Sequence, residues 1–405
     1  MKVLFCHDHR FVIGPDGAVL SRGQFSEKIV ARYEHVFETL FVAGRVSTTV
    51  EQTDTSRLNV VFRDPSRFVP IASQSSIRAL LLGDSQACRC IEAAIKSVDA
   101  VIIRLPSEIG LLAGKIARHM GKPLITEVVG CVWDAARSHG GIKARVYAPL
   151  AYARMRSAVA QSDWTLYVSE RFLQDRYPAR GARTAVSNVN LPPRDENTLA
   201  RRLARVVEAP LVVGVIATMF NNQKRVDIMI RALSAAVGHG ADLKFEVVGP
   251  GDTSGLQALA AASGVGDRVR FIGALPHGEK LFGWLDSIDL YVQTSFQEGL
   301  PRALIEAMSR ALPALGSNVG GTNELLPHDC LHRPGDVTTL AQQLMAMRSP
   351  VRRALCAAQN FSRAGDFVAE KLDTRRQAFW RRFCDANAIR RETMPSRFEE
   401  AAGGG

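Results

Sequence analysis

From residue 211 onward, short apolar runs alternate with segments whose apolar residues recur every three or four positions. Residues 211–217 (Leu-Val-Val-Gly-Val-Ile-Ala) form an apolar run rich in β-branched side chains, the pattern of a strand covered on both faces. Helical spacing follows at Val226, Ile230 and Leu233. The same reading predicts strands over 243–248, 268–272, 289–293 and 313–316, and helices over 256–262, 277–285, 300–310 and 337–347. Strands and helices alternating at this rhythm build a parallel sheet with right-handed crossovers, a Rossmann-like domain.

The first half repeats the theme with more interruptions. Strands are expected over 2–6, 40–43, 100–104, 123–129 and 164–168, and helices over 27–39 and 109–120. Pro192-Pro193 and a run of arginines mark a joint within 190–208. The expected architecture is therefore α/β. It has a Rossmann-like domain over 1–195, a second over 209–365, a closing amphipathic helix within 366–385 and a tail over 386–405.

Composition narrows the class. A chain of 405 residues, 46% hydrophobic and 22% charged, fits two ordinary globular domains of about 100–200 residues each. Its longest apolar stretches, such as 211–220, fall short of the roughly 20 residues of a membrane helix. Near the N-terminus only four apolar residues run together, Val3 to Cys6, before polar ones, too few for a secretory core of about 7–15, so a cytoplasmic location is expected. A net charge of +11 favours an anionic partner. Seven scattered cysteines without a CxxC pair read as reduced, mostly buried thiols.

The most informative stretch runs from Phe296 to Met308. A strand ends at Gln293, Gly299 permits a tight turn, and Pro301 stands where a helix should begin. A helix start offers free backbone N–H groups and the positive end of a dipole, a cradle for an anion. Glu298 precedes the helix and Glu306 lies inside it. They are too far apart for a close catalytic pair and are better placed at two points along one elongated ligand. Glu306 suits a diol such as a ribose.

Glu298-x7-Glu306, followed by Ala307-Met308 and then by Gly320-Gly321-Thr-Asn-Glu324, resembles the signature of retaining GT-B glycosyltransferases of family 4 (group 1). The resemblance covers 211–347. It implies the GT-B fold: two Rossmann-like domains facing across a cleft, with a C-terminal helix crossing back to the first. By position, Glu298 is similar to the glutamate that contacts the donor sugar and Glu306 to the one that binds the nucleotide ribose. The backbone around Gly299, Leu300 and Arg302 would hold the diphosphate. Lys224 matches the family's lysine at the diphosphate, whereas the family's arginine falls on Thr218, a departure for which Arg225 or a hydroxyl would have to compensate. Fixed cations here would stabilise the leaving diphosphate.

Three first-domain stretches are further candidates. The glycine-rich residues 14–25, with Gly14, Gly17 and Gly23, would form a loop approaching the phosphate or sugar from the opposite wall, or a plain connection. Glu127 occupies the position where the family places a histidine against the donor sugar, with Asp134 and His139 close behind on the acceptor side. Residues 141–161 carry Lys143, Arg145, Arg154 and Arg156 without acids, and apolar Ile142, Val146, Leu150 and Met155. Such a segment either lies on anionic lipid or packs on the sheet. His7-Asp8-His9 points in alternating directions on a strand end. With no Asp-x-Asp pair elsewhere, no metal and no cofactor are expected beyond a UDP- or GDP-sugar co-substrate.

The resemblance thus implies a retaining transferase moving a hexose from a nucleotide sugar to a glycan or lipid-linked acceptor, in bacterial surface polysaccharide synthesis, at the inner face of the membrane. The alternatives are a catalytically silent GT-B scaffold subunit, which the change at Thr218 favours, and a sugar-nucleotide epimerase. Nucleic-acid binding is the weakest, because the positive charge is spread along the chain without an aromatic-basic motif.

Overall fold

The computed structural model describes residues 1–21, 25–46, 58–71, 85–138, 141–207, 209–220 and 222–393. They form two Rossmann-like α/β domains. The first sheet contains β1 (Lys2–Ile13), β2 (Val19–Ser21), β3 (Thr39–Val46), β4 (Asn59–Phe62), β5 (Phe68–Ile71), β6 (Ala100–Leu105), β7 (Leu124–Val128), β8 (Trp164–Tyr167) and β9 (Ala182–Ala185). Its parallel part runs β5-β3-β1-β6-β7-β8-β9, and β2 and β4 add an antiparallel flap along the far end of β1. The second sheet contains β10 (Leu211–Ile216), β11 (Leu243–Val248), β12 (Val269–Gly273), β13 (Leu290–Gln293), β14 (Ala314–Ser317) and β15 (Leu331–His332). Its strands are all parallel, in the order β12-β11-β10-β13-β14-β15. Val213, Val215, Phe245, Val247, Tyr291, Val292 and Leu315 are fully enclosed between helices, which is why these strands read as continuous apolar runs.

Residues 190–208 are not a bare joint. They contain the helix Asn197–Ala204, and their arginines are anchors. Arg202 donates to the carbonyls of Ile288 (2.7 Å) and Leu285 (3.1 Å), and Arg205 to that of Ser287 (2.7 Å). Cations thus cap the C-terminal end of the helix Glu279–Ser287.

The chain returns to the first domain through the helix Ala369–Thr393. Trp380 stacks on Tyr33 at 4.6 Å, Phe379 and Phe383 pack on Trp164, and Arg376 donates to the carbonyl of Ser187 (2.8 Å). The two passages between domains touch, because Arg194 in the first lies 4.4 Å from the ring centre of Phe361 just before the second. A separate tie joins the domains: the carboxylate of Glu324 accepts the backbone N–H groups of Glu170 (2.7 Å), Arg171 (3.1 Å) and Phe172 (2.7 Å).

Some expected boundaries change. β1 continues to Ile13 instead of stopping at residue 6, because Phe11–Ile13 pair with β2 although the polar residues 7–10 interrupt the apolar pattern. Of the residues expected to form a glycine-rich loop, 14–21 instead complete a hairpin with β1. Gly14 N–H donates to Ala18 O (2.8 Å), and Gly17 takes φ +81° in the turn. Gly23 lies outside the described residues. The first helix is Glu27–Glu34, shorter than 27–39, since Thr39 already opens β3. Pro301 is the residue flanking the helix Arg302–Ser309 and not its first position. The helix Pro350–Ala364, capped by Ser349, has no counterpart in the sequence reading.

Candidate active site

Strand order in the second sheet reverses at β10 and β13, and crevices at such a switch point are where open α/β sheets bind ligands. Two loops meet there. The loop after β10 ends in a short turn, Asn222–Lys224. The carbonyl of Lys224 accepts from the Thr294 hydroxyl (2.7 Å), and that of Gln223 accepts from the Phe296 N–H (2.8 Å). The loop after β13 is held from beneath, because the Ser317 hydroxyl reaches the carbonyls of Gln293 (3.0 Å) and Ser295 (2.6 Å).

This scaffold fixes a polar relay. Tyr291 donates to Gln293 Oε1 (2.8 Å), and Gln293 Nε2 donates to Glu298 Oε1 (2.8 Å). Lys224 Nζ sits 2.6 Å from that same oxygen. Gly320 and Gly299 make the loop path feasible. A Cβ at Gly320, whose φ is +54°, would lie 2.1 Å from the Glu298 carbonyl oxygen, and one at Gly299 would lie 2.3 Å from the carbonyl oxygen of Val129 in the first domain. The Gly-Gly turn is also bonded to the loop, Gly321 N–H to Gly299 O at 2.7 Å.

Glu306 is the fifth residue of the helix Arg302–Ser309 and only 5% exposed. His277 Nε2 lies 3.2 Å from its Oε1. That hydrogen bond raises the imidazole above its ordinary value of 6.5, against the opposing pull of burial. Thr218, Lys224, His277, Glu298, Gly299, Leu300, Arg302 and Glu306 line one cleft of about 440 Å³, which Val129 closes from the first domain. The helix start, Lys224 and the flanking carboxylates can together hold an anion with a polyhydroxyl group at each end.

Other expected residues lie elsewhere. Arg225 does not line the cleft. Its backbone is left-handed (φ +45°), and its guanidinium is bidentate on Asp227 (2.8 and 2.7 Å) and 4.1 Å from the ring centre of Phe296. In this structure Arg225 is engaged in a local pair with Asp227, away from Thr218's cleft. Glu127 is on β7 and 3% exposed. It accepts from Arg104 Nε (2.9 Å), Arg104 Nη2 (2.8 Å) and Tyr33 (2.9 Å), so it neutralises a partly buried arginine and lines no part of the cleft. Asp134 pairs with Arg176 at 3.1 Å, in a separate cavity. His139 lies outside the described residues. His7 and His9 line no shared ligand set with Asp8, which turns to Arg45 and the N–H groups of Glu108 and Ile109. Burial and Arg104 lower both imidazoles, that of His7 to about 3.

Sequence reasoning missed His277 and Arg104. Only the strand order brings His277, which follows β12, against a glutamate nearly thirty residues later. Arg104 had a faint signal, a cation inside an apolar strand opposite Glu127 on the next.

Residues 210–349 match the family model of glycosyl transferases group 1. The chain is similar to Protein CapJ of Staphylococcus aureus, 29% identical over 84% of this chain and 85% of that protein. It is also similar to lipopolysaccharide 1,6-galactosyltransferase of Escherichia coli K12, 26% identical over 52% of this chain and 61% of that one. Among solved structures, sucrose-phosphate synthase from Thermosynechococcus elongatus aligns over 95% of this chain and all of its own, with TM-score 0.66 and 16% identity. The UDP-glucose complex of Anabaena Alr3699/HepE aligns over 96% of this chain and all of its own, with TM-score 0.62 and 15% identity. WaaG, a glycosyltransferase involved in lipopolysaccharide biosynthesis, aligns over 93% and 98%, with TM-score 0.60 and 16% identity. The fold is GT-B.

Proposed function

We propose that this GT-B chain, whose second domain matches the group 1 glycosyltransferase model, is a retaining, metal-independent hexosyltransferase. It takes a UDP- or GDP-sugar as donor and acts in bacterial surface polysaccharide synthesis. The observation that carries the reading is the convergence of Lys224, Glu298, the helix start at Arg302 and Glu306 on one cleft at the sheet's switch point. A ribose diol would meet Glu306, the diphosphate the helix N-terminus and Lys224, and the sugar Glu298. The C1–O bond to the diphosphate breaks while the acceptor oxygen bonds C1 on the same face, and the acceptor's proton passes to the departing phosphate oxygen. Lys224 and the backbone N–H groups stabilise the charge that builds there, and the first domain, reaching Gly299 through Val129, helps exclude water.

Relatives support this reading in their own terms: one solved neighbour holds UDP-glucose, and one sequence relative is a lipopolysaccharide galactosyltransferase. Thr218, with Arg225 occupied by Asp227, favours a second reading, a silent GT-B scaffold. The acceptor is read as membrane-borne, reached through the helix Ile142–Ala160. Ile142 is 81% exposed, Val146 75% and Leu150 50%, one turn apart along one face beside exposed Arg145. No helix among the described residues is long and apolar enough to cross a membrane.

A thermal-shift screen of UDP, GDP, ADP, CMP and their sugars, followed by transfer assays on Glu298→Ala and Lys224→Ala, tests the proposal. A stabilising nucleotide sugar and loss of turnover in both variants are expected. Nucleotide binding without turnover in the wild type would leave the scaffold reading.

A further inference from the structure

A second cavity of about 740 Å³ lies between the two domains. The first domain contributes Trp133, Asp134, Arg137, Arg145 and Arg176 to its wall, and the second contributes Phe296, two residues before Glu298. Among the described residues the charge is one-sided, three guanidinium groups to one carboxylate. That carboxylate is already engaged, for Arg176 Nη1 donates to Asp134 at 3.1 Å and is thereby held in place. Arg137 lies 5.7 Å from the ring centre of Trp133. The Arg145 guanidinium, exposed to solvent, makes no hydrogen bond or ion pair among the described residues. Like-charged groups around a concave wall focus a positive potential into it and draw anions. Guanidinium groups are donors only, and they bind a phosphate or carboxylate more strongly than a neutral hydroxyl because the bond is charge-assisted.

We propose that this cavity receives the acceptor and selects one that carries an anionic group, a phosphate or a carboxylate, next to the accepting sugar. Arg137, Arg145 and Arg176 bind the anion, and Trp133 offers its ring as an apolar platform. The proposal rests on the donor-cleft reading, because the link between the two sites is the loop that carries Phe296 in one and Glu298 in the other. Two sources have this chemistry: the phosphate that links a glycan to a carrier, and the carboxylate of an acidic sugar. Arg145 sits between exposed Ile142 and Val146, so an anion bound there borders apolar surface.

The test is calorimetric titration of the full chain, held at saturating UDP, with glucose, glucose 1-phosphate and glucuronate as probes. At least one charged probe should bind about tenfold or more tightly than glucose, the margin of a single charge-assisted contact. The combined variant Arg137→Ala/Arg145→Ala should lose that margin, and Arg145→Lys should recover part of it. Both arginines are exposed, so the truncations should leave the melting temperature and the UDP affinity unchanged. The tighter charged probe identifies the source. Equal affinity for charged and neutral probes, no binding of either charged probe, or undiminished binding in the double variant overturns the proposal. Arginine-dependent binding of glucose 1-phosphate by a chain that binds no nucleotide would instead remove the donor reading while leaving the anion site standing.

Discussion

Lys224 Nζ and Glu298 Oε1 are 2.6 Å apart, with Gln293 donating to the same oxygen at 2.8 Å. Under the proposed function, the donor's diphosphate meets a lysine already engaged with a carboxylate and must share it. Two substitutions should separate the partners. Glu298→Gln frees the lysine, so UDP should bind a few-fold tighter while transfer falls by about 10²-fold. Lys224→Ala should weaken UDP binding and transfer together, by about 10²–10³-fold in kcat/KM, and should lower stability because it strands a mostly buried carboxylate. Calorimetry with UDP and progress curves with the donor identified in the screen report both effects.

The Glu306 hydrogen bond raises His277 above 6.5. A histidine with a higher pKa folded than unfolded stabilises the fold fully below its unfolded value, and that contribution is lost as pH rises through the folded value. The stability difference between wild type and His277→Gln should therefore be largest near about pH 6 and shrink toward about pH 8. Urea midpoints across that range measure it. A difference that grows with pH would remove the His277–Glu306 pair as its cause.

Gly320→Ala should destabilise the chain by about 1–3 kcal/mol. The left-handed backbone disfavours a side chain, and the new Cβ would strike the Glu298 carbonyl. Because the obstruction displaces the loop bearing Glu298, UDP affinity should fall along with the urea midpoint.

Replacing Ile142, Val146 and Leu150 together by serine should leave the melting temperature unchanged, since all three side chains are exposed. Co-sedimentation with vesicles rich in anionic lipid should drop by about tenfold or more. Equal sedimentation of variant and wild type would end the membrane reading of this face.

The second domain was largely legible because its strands are buried on both faces and its loops carry chemistry at fixed spacing. Residues 211–217 and 243–248 announce themselves by unbroken apolarity, and Glu298 and Glu306 by their position around a helix start. The first domain was harder to read. Its β1 carries a polar middle, His7 to Arg10, and is stabilised by partners distant in sequence. Glu127 misled for a related reason. A carboxylate at the end of a strand looks like a site residue until the neighbouring strand places Arg104 against it, and that pairing is a property of register. Arg225 looked free because its partner Asp227 is two residues away, a contact that depends on the unusual left-handed backbone at residue 225.

The paired passages at Arg194 and Phe361 and the separate tie at Glu324 join the two halves at two places. Attachments set apart from one another restrict relative rotation in a way that one linker would not. The seat of Val129 over Gly299 is thus upheld by connections remote from the cleft itself.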